Sequence, residues 1–199
     1  MSSYEGILLD CGGVLTENYV EADFPAELAA KFQVAKDDLM AFLREGGFMP
    51  ALSTGRLTEE ELVRMVTGRF SEAVAIDPDT VTSDNFTPSA VAIEAVNSLR
   101  NRTAAKLVLA SNIFPSSARH LREWGLEGFF DKLYLSSEIG LRKPDPAYFE
   151  HIAADLQLPP EKLFFLDDMH DYVEGARSVG ITAVQANSPQ DALRIIESL

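Results

Sequence analysis

Five short apolar runs, at about residues 6–11, 106–111, 132–137, 163–168 and 182–186, alternate with stretches of helical periodicity. Runs of that length and hydrophobicity are strands buried on both faces. Their alternation with helices predicts a parallel sheet covered by helices on either side. The helix ends are readable. Thr87 and Pro88 read as the N-cap and first position of a helix burying Val91, Ile93, Val96 and Leu99. Pro146 opens a helix with Tyr148, Phe149, Ile152 and Leu156 inward, and Ser188 and Pro189 open the last one, with Leu193 and Ile196 as its buried stripe. Gly180 reads as the left-handed stop of the helix that follows Asp168.

Between the first run and Thr87 lie about 70 residues with no strand-like pattern, too many for a simple crossover. Phe24, Leu28 and Phe32, then Leu39, Phe42 and Leu43, then Leu62, Val63, Val66 and Phe70 mark amphipathic helices. The expected organisation is a small all-helical insertion at 16–86 within an α/β core made of 1–15 and 87–199. Residues 46–50 read either as a turn between helices or as a loop over a pocket. Residues 55–61 read as a capped helix start with acids at its positive end, with Arg56 a surface residue.

The 199 residues include 31 acidic and 17 basic ones, for a formal charge of −14, and no lysine-arginine cluster. Nucleic acid and anionic membranes are therefore unsuitable partners. Cys11 is the sole cysteine, so no disulfide can form within the chain. Beside Asp10 it reads as a small apolar turn residue whose thiol neighbouring carboxylates would keep protonated. No apolar run approaches the roughly 20 residues that cross a bilayer, and the expected setting is the cytoplasm.

The strand ends carry the chemistry. The run Gly6-Ile7-Leu8-Leu9 ends in Asp10, on a Cys11-Gly12-Gly13 turn whose glycines let backbone approach an anion or metal. The run ending at Ser111 is followed by Asn112, a polar pair able to hold phosphoryl oxygens. Lys143 precedes a proline-fixed helix start, where its charge could offset a carboxylate and an incoming phosphate. The run Leu163-Phe164-Phe165-Leu166 ends in Asp167-Asp168, adjacent anions whose repulsion a cation would relieve.

The order Asp, Ser, Lys, Asp-Asp along four apolar strands resembles the motif set of the haloacid dehalogenase superfamily, specifically subfamily I, whose members carry a helical cap. The stretch from Asp131 through Lys143 to Pro146 and the stretch from Asp167-Asp168 through Gly175 to Ile181 carry the likeness furthest. The resemblance implies a Rossmann-like three-layer α/β/α core of strand order 5-4-1-2-3, with first and fourth strands adjacent at the switch point where ligands bind. It also implies a phosphatase for a small phosphorylated metabolite. Asp10 is then the nucleophile and Lys143 the charge-neutralising catalytic group, with Ser111 and Asn112 binding the transferring oxygens. Asp10, Asp168, the Gly12 carbonyl and Asp167 would be the ligands of a Mg²⁺ ion.

One family element is missing. The position two after the nucleophile, normally a second aspartate that moves protons, is Gly12. Relatives with such turns include α-D-glucose-1-phosphate phosphatases, so leaving-group protonation would come from substrate, water, or a neighbour such as His170 or Asp171. Two alternatives follow from the same gap: a metal-independent 2-haloacid dehalogenase, or a catalytically weak module that binds a phosphorylated metabolite. Substrate identity and oligomeric state are open at this point.

Overall fold

The computed structural model describes residues 4–17, 24–81 and 87–199. Five strands form one parallel sheet: β1 (Gly6–Leu9), β4 (Lys106–Ser111), β5 (Lys132–Leu135), β6 (Leu163–Asp167) and β7 (Thr182–Gln185), in the order β5-β4-β1-β6-β7. Counting only these five in chain order, that is 5-4-1-2-3 read from the β7 edge, as the motif resemblance implies. β1 lies at the centre, with Leu9 opposite Leu109 on one side and Leu166 on the other.

The pleat of β1 divides the core into two. Ile7 and Leu9 point to a cluster with Val96 and Leu99 of α5 (Ala90–Arg102), Leu121 of α6 (Pro115–Glu123) and Ile196 of α10 (Pro189–Ser198). Leu8 points the other way, to Tyr148, Phe149 and Ile152 of α8 (Pro146–Leu156) and Val173 of α9 (His170–Ser178). With Ile7, Leu8 and Leu9 all fully buried, β1 is held from both faces and both edges, a rigid place from which to present Asp10.

The helix starts are set largely by local chemistry. Asp145 caps α8 by accepting from Ala147 N–H at 3.0 Å, with Pro146 in the first position, and Ser188 caps α10 by accepting from Asp191 N–H at 3.1 Å. Gly180 adopts φ +92 beyond the end of α9, as a left-handed stop requires. In α10 the fully inward residues are Ala192 and Ile196, with Leu193 half-buried.

The start expected at Thr87-Pro88 is corrected. Those two residues form β3 (Thr87–Pro88), antiparallel to β2 (Thr16–Glu17), and Ser89 N–H still donates to Leu15 O at 2.7 Å. The chain therefore stays extended one residue longer, and Ser89 becomes the cap through its acceptance from Ala92 N–H. That shift turns Val91 outward, 59% exposed, and brings Ala92 and Ala95 inward beside Val96 and Leu99.

The small β2-β3 ribbon is where the chain leaves the sheet layer and returns to it. Between its strands come α1 (Phe24–Phe32), α2 (Lys36–Glu45), α3 (Phe48–Ser53) and α4 (Glu59–Arg69). Their inward faces make a separate core of Leu28, Phe32, Leu39, Leu43, Leu62 and Val66, joined by Phe70. The expected limits of this insertion, 16–86, take in 18–23 and 82–86, which lie outside the described residues. Of residues 46–50, Gly46 and Gly47 turn between α2 and α3 and 48–50 begin α3: Gly47 takes φ +61, and the Phe48 ring packs on that of Phe42 with centroids 5.0 Å apart. Thr58 and Glu61 close the reciprocal capping box of α4. Among the described residues no helix is long and apolar enough to cross a membrane.

One close approach links fold to site. A Cβ on Gly175 of α9 would lie 2.4 Å from the carbonyl oxygen of Pro144, in the loop that carries Lys143. Backbone cannot yield as a flexible side chain does. Gly175→Ala is therefore expected to lower unfolding stability by about 1–3 kcal/mol, measured by urea denaturation; unchanged stability would show that the loop relaxes freely.

Candidate active site

Asp10 follows β1 directly, and its N–H extends the ladder to Leu166 O at 2.9 Å. Its side chain is 9% exposed. Lys143, from the loop between α7 (Ser136–Ile139) and α8, is fully buried, and its Nζ lies 2.7 Å from Asp10 Oδ1 and 2.6 Å from Asp167 Oδ2. The ammonium also lies over the rings of Phe165, at 5.3 Å, and Tyr172, at 5.0 Å. A lysine reaches this depth only because two carboxylates meet it there.

The backbone that carries Lys143 is held just as firmly. Asn112 Nδ2 donates to Lys143 O and Lys143 N–H donates to Asn112 Oδ1, both at 2.9 Å. The Asn112 side chain is thus engaged in placing Lys143. Ser111, 2% exposed, ends β4 immediately before it. Ser136 is fully buried, accepts from Ile113 N–H at 2.9 Å and so fixes the next step of the same loop.

Asp10, Asp167 and Asp168 each offer a carboxylate oxygen, all within 4.8 Å of one another. Three such oxygens fit a hard divalent cation, and with Lys143 as the cation among them they carry surplus negative charge that such an ion would offset. The three are not equivalent. Asp167 Oδ2 meets Lys143 and Oδ1 accepts from Met169 N–H at 2.8 Å, so both its oxygens are occupied. Asp167 thereby orients the lysine. Gly13, at φ +69, makes room for Asp168: a Cβ there would lie 2.4 Å from Asp168 Oδ2. Gln185 Nε2 holds Asp168 from behind, donating to its carbonyl at 2.9 Å.

Burial and surplus negative charge shape the titration. Desolvation raises the Asp10 carboxyl to about 6, against the attraction of Lys143 and with the repulsion of Asp167. Asp167 is raised for the same reason, burial outweighing Lys143. For Lys143, burial alone would favour loss of the proton, but Asp10 and Asp167 outweigh it and push the ammonium above its ordinary value. Burial, followed by the charge of Asp10, drives the Cys11 thiol well upward, so it stays a protonated packing group.

The remaining sequence candidates separate. His170 and Asp171 are exposed at the start of α9, and Arg56 is exposed with its Nε on Thr54 Oγ1 at 3.0 Å. Sequence reasoning passed over Ser136 and Gln185. Both lie at the ends of apolar runs, and that position was the signal available.

Residues 4–180 match the family model of haloacid dehalogenase-like hydrolases. The chain is 27% identical to acyl-CoA dehydrogenase family member 10 of Mus musculus across 99% of its own length and 19% of that protein's. It is 22% identical to D-ribitol-5-phosphate phosphatase of Bacteroides thetaiotaomicron across 94% of both. Among solved structures, a haloacid dehalogenase-family enzyme of the same bacterium, crystallised with magnesium and inorganic phosphate, has a TM-score of 0.76 at 21% identity, covering 93% of this chain and 95% of that one. The chain spans from about a seventh to about half of the length of the first curated relatives it matches.

The raised Asp10 carboxyl has a stability consequence. Its folded value of about 6 exceeds the ordinary 3.8, so the folded state gains from the bound proton below about 3.8 and loses that gain as pH rises through about 6. In chelator, Asp10→Asn should accordingly stabilise the fold by roughly 1–3 kcal/mol above pH 6 and by little below pH 4. Lys143→Met, which strands the carboxylates, should destabilise at neutral pH by about 3–5 kcal/mol. Denaturant titrations at both pH values check this; an Asp10→Asn gain independent of pH would contradict it.

Proposed function

Because the chain belongs to the haloacid dehalogenase-like hydrolases, we propose that it is a Mg²⁺-dependent phosphatase of a small phosphorylated metabolite, with Asp10 as nucleophile. The observation that carries this reading is the Lys143 ammonium bonded at once to Asp10 and Asp167, with Asp168 beside them. The likeness to a sugar-alcohol phosphate phosphatase supports a phosphomonoester of modest size.

In this reading an Asp10 oxygen attacks phosphorus, the P–O bond to the leaving alcohol breaks, and an aspartyl-phosphate forms. Water then attacks that phosphorus, releasing inorganic phosphate and the free Asp10 carboxylate. Lys143 keeps Asp10 ionised despite its burial and offsets the charge growing on the phosphoryl oxygens. Ser111 Oγ and the Asn112 main-chain N–H are the donors for those oxygens. Asp167 acts through Lys143, holding it in line. Magnesium, held by Asp10, Asp168 and the Gly12 carbonyl, would supply further neutralisation of phosphate charge.

Gly12 has no side chain to protonate the departing alkoxide, which takes its proton from water. The three-carboxylate cluster, whose charge a divalent cation would offset, argues for a metal-assisted reaction over the metal-independent dehalogenase.

Two outcomes are expected. Phosphatase activity on p-nitrophenyl phosphate should require Mg²⁺ and disappear in Asp10→Asn and in EDTA; turnover surviving both would reject the assignment. In addition, the absence of a proton donor at position 12 should make kcat/KM fall steeply from aryl to alkyl phosphates, by roughly 10²–10⁴. A flat dependence on leaving-group basicity would mean that another side chain supplies the proton.

A further inference from the structure

Three separate pieces of the helical insertion converge on the N-terminal half of α6 and the residue before it. The Phe24 ring of α1 packs against that of Phe114, with centroids 5.6 Å apart. Asp79, in the 3-10 turn Pro78–Thr80, pairs with Arg119 at the surface. Glu59, the first residue of α4, extends Oε1 to Ser116 N–H at 2.7 Å.

The third contact differs in kind from the others. Glu59 is 6% exposed and Ser116 2%, whereas the Asp79 and Arg119 side chains are half exposed. Of the three consecutive acids that open α4, Glu59 alone is buried; Glu60 is exposed and Glu61 closes the capping box. The receiving helix needs what Glu59 brings, since its N-cap, Phe114, makes no side-chain capping bond and its first turn holds no acid. An anion from the insertion thus satisfies a helix N-terminus of the α/β core.

That turn continues the segment that places Lys143. Ser111 and Asn112 lie a few residues upstream, with Asn112 bonded twice to the Lys143 backbone and Ile113 N–H bonded to Ser136 Oγ. Nearby, Gly55 rests on Ser137 so closely that a Cβ would meet its carbonyl oxygen at 2.2 Å. The insertion therefore bears on both segments that hold the lysine, 111–116 and 136–143.

We infer that Glu59 is a positioning residue that ties the seating of the helical insertion to the placement of Lys143. The kinetic side of this inference rests on the phosphatase reading; the structural side does not. The test is amide hydrogen exchange, resolved by residue, on the wild type, Glu59→Ala and Glu59→Gln. In Glu59→Ala the amides of Ser116, Ile113 and Lys143 should all exchange faster, by roughly three- to thirtyfold. Phe164 and Tyr148, in the sheet and on its far face, should keep wild-type protection, which separates this effect from general destabilisation. Glu59→Gln, which retains an acceptor, should restore much of the protection at Ser116, Ile113 and Lys143. Faster exchange confined to Ser116, or spread uniformly through Phe164 and Tyr148, would overturn the inference. Turnover is read separately: kcat for p-nitrophenyl phosphate should fall in Glu59→Ala and largely recover in Glu59→Gln, and a wild type with no turnover counts against the phosphatase reading alone.

Discussion

A single ammonium group, deep in the protein and shared by two carboxylates, is the constraint around which the rest of this structure is arranged. Lys143 is fully buried, and its bonds to Asp10 and Asp167 join β1, β6 and the loop before α8 at one point. Taking such charges out of water costs several kcal/mol per ion, and that cost is met only when the geometry is close and the remaining polar atoms are satisfied. The surrounding details follow from this requirement. Asn112 fixes the lysine backbone on both sides, Met169 N–H takes the second oxygen of Asp167, and Gly175 lets α9 come against Pro144.

The same arrangement explains why the site suits anionic chemistry in a strongly acidic chain. One ammonium does not balance three carboxylates, and Asp10 and Asp167 are raised chiefly by burial, with repulsion from a neighbouring carboxylate adding to it. A divalent ion would remove the imbalance. Gly12 and Gly13 keep the turn beyond Asp10 free of side chains, and at Gly13 the space a Cβ would take is filled by the Asp168 carboxylate. The turn leaves room for charge compensation and carries no side chain at Gly12 or Gly13 to transfer a proton.

Much of this was legible in the sequence, for physical reasons. Strands buried on both faces are nearly pure apolar runs, so the polar residues that end them stand out: Asp10, Ser111 and Asp167 were each marked by where a run stopped. Lys143 was marked by the prolines after it. The helix start after Thr87 was misread because a Ser or Thr before proline has the chemistry of a cap, while the pairing of Thr16 with Pro88 that overrides it is set by residues far apart in the chain. The role of Asn112 was hidden for the same reason: a side chain that closes a ring with the backbone 31 residues on leaves no local pattern. Glu59 reads as an ordinary first-turn acid, and only the packing of the insertion on α6 distinguishes it from its two neighbours.

In the proposed reading Asp10 and Asp168 share one divalent ion, while Lys143 bridges Asp10 to Asp167. Crystals grown with Mn²⁺ in place of Mg²⁺, and recorded at a wavelength where manganese scatters anomalously, test it directly. The account predicts one strong anomalous peak about 2.1 Å from carboxylate oxygens of both Asp10 and Asp168, with the Lys143 contacts intact. A peak bound elsewhere, or none at millimolar manganese, would contradict it.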